Sequence, residues 1–351
     1  MLRSAFSALL LTSLIVLPAA SQRNGATFPL SVAASTIVGE DAAFAEITGG
    51  AVGNDGAVYV VDRLQCRVYA FSAAGRLLWT TGRKGDGPGE YRMPYRVAAS
   101  PDGSVLVYDL AIGEVTRLTM AGRFVERSRF PFRFQVLDKI VAQAGGRLVV
   151  AGYSNAGERV RKFGLHRFVA RGGQLVHEGS FGPLPPVRDT SLLRYWGAGD
   201  AALAPNGDIL FSLRLPYHLY RYDALGRQLR SFTPPFRLRG HPEDVLRLER
   251  DSRGERISDT GNQIEEPGPV TELAGGWLLS IRRIPHGGLW DLFDRSGSYV
   301  GTRRSPAGAN GLIGADVTRG ILWFAGTRDD APVLVRVQIG MHGAPPARRS
   351  R

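Results

Sequence analysis

The chain has one cysteine, Cys66, in 351 residues. An intramolecular disulfide is therefore impossible, and the paired thiols of a CxxC metal or redox site are excluded. Lysine is almost as scarce. Lys84, Lys139 and Lys162 are the only three, and arginine supplies the rest of the 44 basic side chains. The six histidines, at 166, 177, 218, 241, 286 and 342, form no tight pair along the chain. No HExxH, nucleophile elbow or Walker loop is present. No catalytic residue and no metal ligand can be assigned by motif, and no cofactor is implied. Basic runs long enough for a nucleic-acid arm are also missing, since the tail Arg348-Arg349-Ser350-Arg351 is short.

Long apolar runs are few as well. The run from about Ala5 to Leu17 is shorter than the ~20 residues of a good membrane span. It follows Met1-Leu2-Arg3 and precedes Ala19-Ala20-Ser21, the order of a secretory signal peptide. A leader over 1–21 and an exported, periplasmic or secreted product are expected, with no stable membrane insertion once the leader is cleaved. An uncleaved anchor is the other reading. No cysteine follows the run, which argues against a lipid anchor.

What is present is a repeated pair of turns. Asn54-Asp55-Gly56 is followed by Ala74-Gly75-Arg76, Pro101-Asp102-Gly103 by Ala121-Gly122-Arg123, and Pro205-Asn206-Gly207 by Leu225-Gly226-Arg227. In each case the glycines stand 19 positions apart, with alternating apolar stretches such as Ala57–Asp62 between them. A period of roughly 40–50 residues made of four short strands is the pattern of a β-propeller blade. Repetition also suits the length, because a single core seldom grows past about 250–300 residues and stacked units escape that limit. The expected architecture is all-β: a six-bladed propeller over 22–340 with four-stranded blades, and a basic, disordered tail over 341–351. The last blade offers only three strands, near 312–317, 321–326 and 333–339. The apolar stretch Phe28–Val38 is expected to supply the fourth and close the ring, because two open sheet edges would otherwise remain. Between the fourth and fifth blades the charged segment 233–266 interrupts the pattern. Pro242 followed by Glu243 and Arg247 reads as a partly helical insertion, either a solvated excursion or a lid.

The stretch Gly82-Arg83-Lys84-Gly85-Asp86-Gly87-Pro88-Gly89-Glu90-Tyr91, followed by Pro94, Asp102-Gly103 and Asp109, resembles the NHL-repeat propellers. It is similar in particular to exported bacterial six-bladed propellers with a G-x-G-P-G-E-[FY] loop. The resemblance is specific over about 46–130 and looser elsewhere. It implies a propeller fold and an extracytoplasmic setting, and it carries no catalytic residue over. Read by its own chemistry, the loop is a rigid crossover: three glycines open backbone angles closed to other residues, Pro88 stiffens the turn, and Glu90 is placed to accept backbone donors.

In a propeller of this kind, loops between second and third strands share one rim with the crossovers. That places Asp62, Asp109, Arg214, Tyr217, His218, Arg283 and His286 around the top face, with Trp196 on the approach to the fourth blade. Arg214 stands where Asp62 and Asp109 stand in the first two blades. The alternative for those aspartates is to tie down their own loops. Arg214, His218, Arg283 and His286 are expected to make one side of the mouth electropositive, suited to a carboxylate, phosphate or sulfate. The net charge of +12 fits that, and equally a general preference for arginine spread over strand faces. The main expectation is an exported, monomeric, non-catalytic propeller that binds a small anionic molecule, a peptide or a partner protein. A lyase or metal-dependent lactone hydrolase is the alternative. Gluconolactonase-like six-bladed enzymes hold a divalent cation with Glu, Asn and Asp near the channel, and Glu90, Asn155 and Asp109 are the residues here that could imitate that set.

Overall fold

A computed structural model of the chain describes residues 28–185, 198–214, 216–236, 238, 265–284, 287–309 and 311–342. The expected leader, most of the charged segment 233–266, Trp196, His286 and the tail beyond His342 lie outside the described residues.

The glycine pairs set the local geometry. Gly56 sits at φ 84° and donates its N–H to Gly53 O at 2.9 Å, and Gly75 sits at φ 87° and donates to Ser72 O at 2.8 Å. These angles are open to glycine and costly for other residues, so each glycine fixes a tight reversal. The 19-residue interval is the length of two strands, Val58–Asp62 and Arg67–Phe71, with their turns. The same construction recurs at Gly103 with Gly122 and at Gly207 with Gly226.

The result is all-β, with sheets in a propeller-like arrangement. Three sheets run four strands in chain order: Ile47–Val52 through Leu77–Thr81, Gly199–Leu203 through Gln228–Phe232, and Glu266–Leu273 through Tyr299–Arg304. An eight-stranded sheet joins Pro94–Ala99 through Phe124–Arg129 to Val136–Ala142 through Gln174–Pro183. Its two halves meet at a single parallel pairing, Gln174 with Arg129. The last sheet mixes the two ends of the chain. Gly311–Asp316, Ile321–Arg328 and Ala331–Met341 are completed by Leu30–Val38, with Leu30 opposite Met341 and Val38 opposite Leu334. The expected donor strand therefore takes the expected place. The last sheet also packs back on the first, where Gly50 faces Ile313 and Gly314 faces Val52.

Burial follows position within each sheet. Second strands such as Val58–Asp62 and Ile209–Leu213 are buried along their whole length because both faces are covered. The outermost strand of the first sheet leaves Leu77 and Leu78 46% exposed. Aromatic rings fill the gaps between sheets. Trp290 stacks on Phe324 with centroids 5.7 Å apart, and Trp277 and Trp323 are buried.

The glycine-rich crossover is tied internally. Glu90 Oε2 accepts the Gly87 N–H at 2.9 Å, and Arg83 Nε donates to Glu90 Oε1 at 2.7 Å. Arg127 donates to the carbonyls of Gly87 and Glu90 at 3.0 and 2.9 Å. The carboxylate stays ionised below the usual range, first because of the Gly87 N–H and then because of Arg83.

Candidate functional site in the central channel

The first strands of the sheets stand side by side around a channel, each beside the next and the last beside the first. Two chambers of about 620 Å³ each occupy it. Lys139, Asp200, Pro269, Leu312 and Ile313 line both, and so form the waist between them. The lower chamber is lined largely by small and apolar residues at the far ends of the first strands. The upper chamber, at their starts, carries charge of both signs: Arg96, Lys139, Arg214 and Arg283 with Glu46, Asp138, Asp200 and Glu266.

Several expected rim residues sit elsewhere. Asp62 is fully buried, and its carboxylate accepts the N–H groups of Ala45, Glu46 and Gln65 at 2.6, 3.3 and 2.9 Å. Asp109 is likewise buried and accepts from Arg92, Met93, Ala111 and Ile112. Both aspartates hold their own loops, because a carboxylate at the end of a second strand is well placed to satisfy the neighbouring turn's donors. Tyr217 is buried, with its hydroxyl 3.3 Å from Asp291 Oδ2. It belongs to a network in which Arg282 Nε donates to Asp291 at 2.5 Å and Arg282 Nη1 to Glu265 at 2.6 Å. The His218 ring lies tilted against Tyr220, centroids 4.7 Å apart, and faces Thr233 Oγ1 at 3.2 Å, and it does not line the chamber.

Arg214 and Arg283 both line the upper chamber. Arg214 lies 3.3 Å from Asp138 Oδ1, on a neighbouring sheet. Arg283 is 67% exposed and, among the described residues, makes a long ion pair of 3.6 Å to Glu266. The expectation of an electropositive side is thereby corrected. Each arginine has a carboxylate nearby, and the chamber as a whole is balanced in charge. Of the gluconolactonase-like set, Glu90 and Asp109 are both committed to loops of their own. Among the described residues, no three His, Cys, Asp or Glu side chains gather as a metal site.

Lys139 and Asp200 escape a reading by motif. Burial pushes the Lys139 ammonium down and the Asp200 carboxyl up from their ordinary values, and each partly offsets the shift in the other. One signal was available. In a chain that uses arginine almost exclusively, a lysine inside a first strand is a departure from its own composition. The histidines also hold a surprise. His166 and His177, on adjacent strands, bring their rings to 6.3 Å, with Ser180 Oγ 2.9 Å from one and 3.0 Å from the other.

No family model and no curated protein matches the sequence. Solved structures do match in fold. A candidate exported protein of Bacteroides fragilis superposes with a TM-score of 0.59 at 12% identity, over 90% of this chain and 96% of that one. A DUF4221-family protein of Bacteroides vulgatus gives 0.57 at 9% identity, over 89% and 98%. A gluconolactonase of Xanthomonas campestris gives 0.50 at 13%, over 91% and 99%. At these identities the likeness is one of fold.

Proposed function

We propose that this chain is an exported six-bladed propeller that binds a small molecule or peptide end at the upper mouth of its channel, and that Arg283 with Arg214 holds the ligand's carboxylate, phosphate or sulfate. Six blades follow if the eight-stranded sheet is divided at its one-residue joint. Export rests on the leader-like start of the sequence, and the glycine-rich crossover supports kinship with NHL-like propellers. The observation that carries the binding reading is Arg283. Its guanidinium lines a chamber large enough for a metabolite and, among the described residues, has one long ion pair, so its paired donors can meet an incoming anion. The lactone-hydrolase reading has likeness to a gluconolactonase fold behind it, and among the described residues no three His, Cys, Asp or Glu side chains gather as a metal site for it.

Calorimetric titration of the purified protein with citrate, inorganic phosphate and sulfate tests this, at low and high ionic strength. At least one should bind, more weakly in high salt. Arg283→Ala should weaken that binding roughly three- to tenfold, the range for a largely exposed charge-assisted contact. Equal affinity in the variant would overturn the assignment.

A further inference from the structure

At the floor of the upper chamber two opposite charges stand apart. Lys139 reaches from the strand Val136–Ala142 across the channel and donates from Nζ to Gly50 O at 3.2 Å and Ile313 O at 3.3 Å, on strands of the first and last sheets. An ammonium has three donors, so one remains. Asp200, on the strand Gly199–Leu203, accepts no hydrogen bond from any described residue and has no cationic partner within 4.0 Å. Both line the same chambers, and no ion pair of 4.0 Å or less joins them.

The neighbouring charges are already engaged. Arg96 donates to the carbonyls of Asp138, Thr48 and Tyr95 and lies 3.9 Å over the Tyr95 ring. Asp138 accepts from Ala198 N at 2.8 Å and Gly199 N at 3.3 Å and faces Arg214. Glu46 is paired with Arg63, and Glu266 with Arg283. Among the described residues, Asp200 is therefore the lumenal carboxylate left without a donor. Asp200 is half-buried and lines both chambers, so a ligand's ammonium can reach its carboxylate. A simple cation would meet Lys139, Arg96 and Arg214, and a simple anion would meet Asp200. A molecule carrying both charges satisfies each in turn.

We propose that Lys139 and Asp200 form the inner end of the ligand site and that it takes the zwitterionic head of an amino acid, with the ammonium on Asp200 and the carboxylate on the free donor of Lys139. The assignment rests on the mouth being the anion-binding end of the same site. A second acidic group on the ligand would then reach the guanidinium of Arg283. The chamber volume accommodates a molecule of this size.

Glutamate and glutarate separate the two ideas, since they share two carboxylates and differ in the amine. Calorimetry on the intact protein should show glutamate binding at least tenfold tighter than glutarate. Asp200→Asn should erase that preference while leaving glutarate bound, and Lys139→Met should weaken both. A pH series on the unaltered protein needs no variant to fold. Burial holds the Asp200 carboxyl above its ordinary range. The preference for glutamate should therefore weaken on acidification as Asp200 takes up its proton. Equal binding of the two ligands overturns the inference and leaves the mouth reading standing. A preference that survives Asp200→Asn also overturns it. If neither ligand nor any of the inorganic anions binds, both readings fall.

Discussion

His166 has no exposed surface, and its Nε2 faces Gly152 O at 3.3 Å. A proton on Nε2 leaves Nδ1 to accept from Ser180, whose oxygen can then accept from His177. Burial pushes the His166 pKa down from 6.5 to about 4. In the unfolded chain the imidazole binds a proton near its ordinary pKa, while in the fold it stays neutral. Stability is therefore complete above about pH 6.5 and declines as the pH falls toward 4, by on the order of 3 kcal/mol for a gap of this size. Urea unfolding between pH 7.5 and 4.5 should show that decline, and His166→Gln should flatten it. Parallel profiles would mean that other groups dominate the acid response. At this scale the sequence was a partial guide. Asp62 and Asp109 were readable as loop ties because the geometry is local. His166 and His177 were not readable as neighbours, since the pairing of their strands shifts register between Arg167 and Phe168. The lumenal direction of Lys139 and Asp200 depends on which face of a first strand turns inward, and alternation does not fix that where both faces are enclosed.

The crossover Gly82–Tyr91 shows how an element can be specified by composition. Its glycines allow the chain to fold back on Glu90, and the glutamate satisfies the turn it terminates. A β-carbon on Gly87 would lie 3.1 Å from Glu90 Oε2, which is bonded to the Gly87 N–H. Gly87→Val should push that carboxylate away and cost about 1–3 kcal/mol, as overpacking usually does. Denaturant unfolding measures the loss. Anion binding at the channel should be unchanged, and a stable variant with altered binding would show that the loop belongs to the ligand site. Strands and turns were legible here because glycine spacing and alternation are local signals. The segment 233–266, which lacks both, was the least legible part of the chain.

Across the whole molecule the decisive contact is the pairing of Leu30–Val38 with Ala331–Met341. It covers an edge and buries Leu30 and Val38. Deleting residues 22–40 should lower the melting temperature sharply or prevent folding, because the last sheet would end on a bare edge. An unchanged melt would show that the sheet stands without it. This feature was visible in outline from the sequence, as a count of strands with one missing and one spare. The arrangement also sets an order of events. Leu30–Val38 and its mate Ala331–Met341 lie far apart along the chain, so neither can pair until the sheets between them are in place. Bringing together ends separated by some 300 residues costs about 5 kcal/mol of chain entropy, and that cost falls on one late step. Until then every intermediate carries an unsealed seam. A polypeptide cut short before Ala331 lacks the mate of Leu30–Val38 and leaves that strand without its partner.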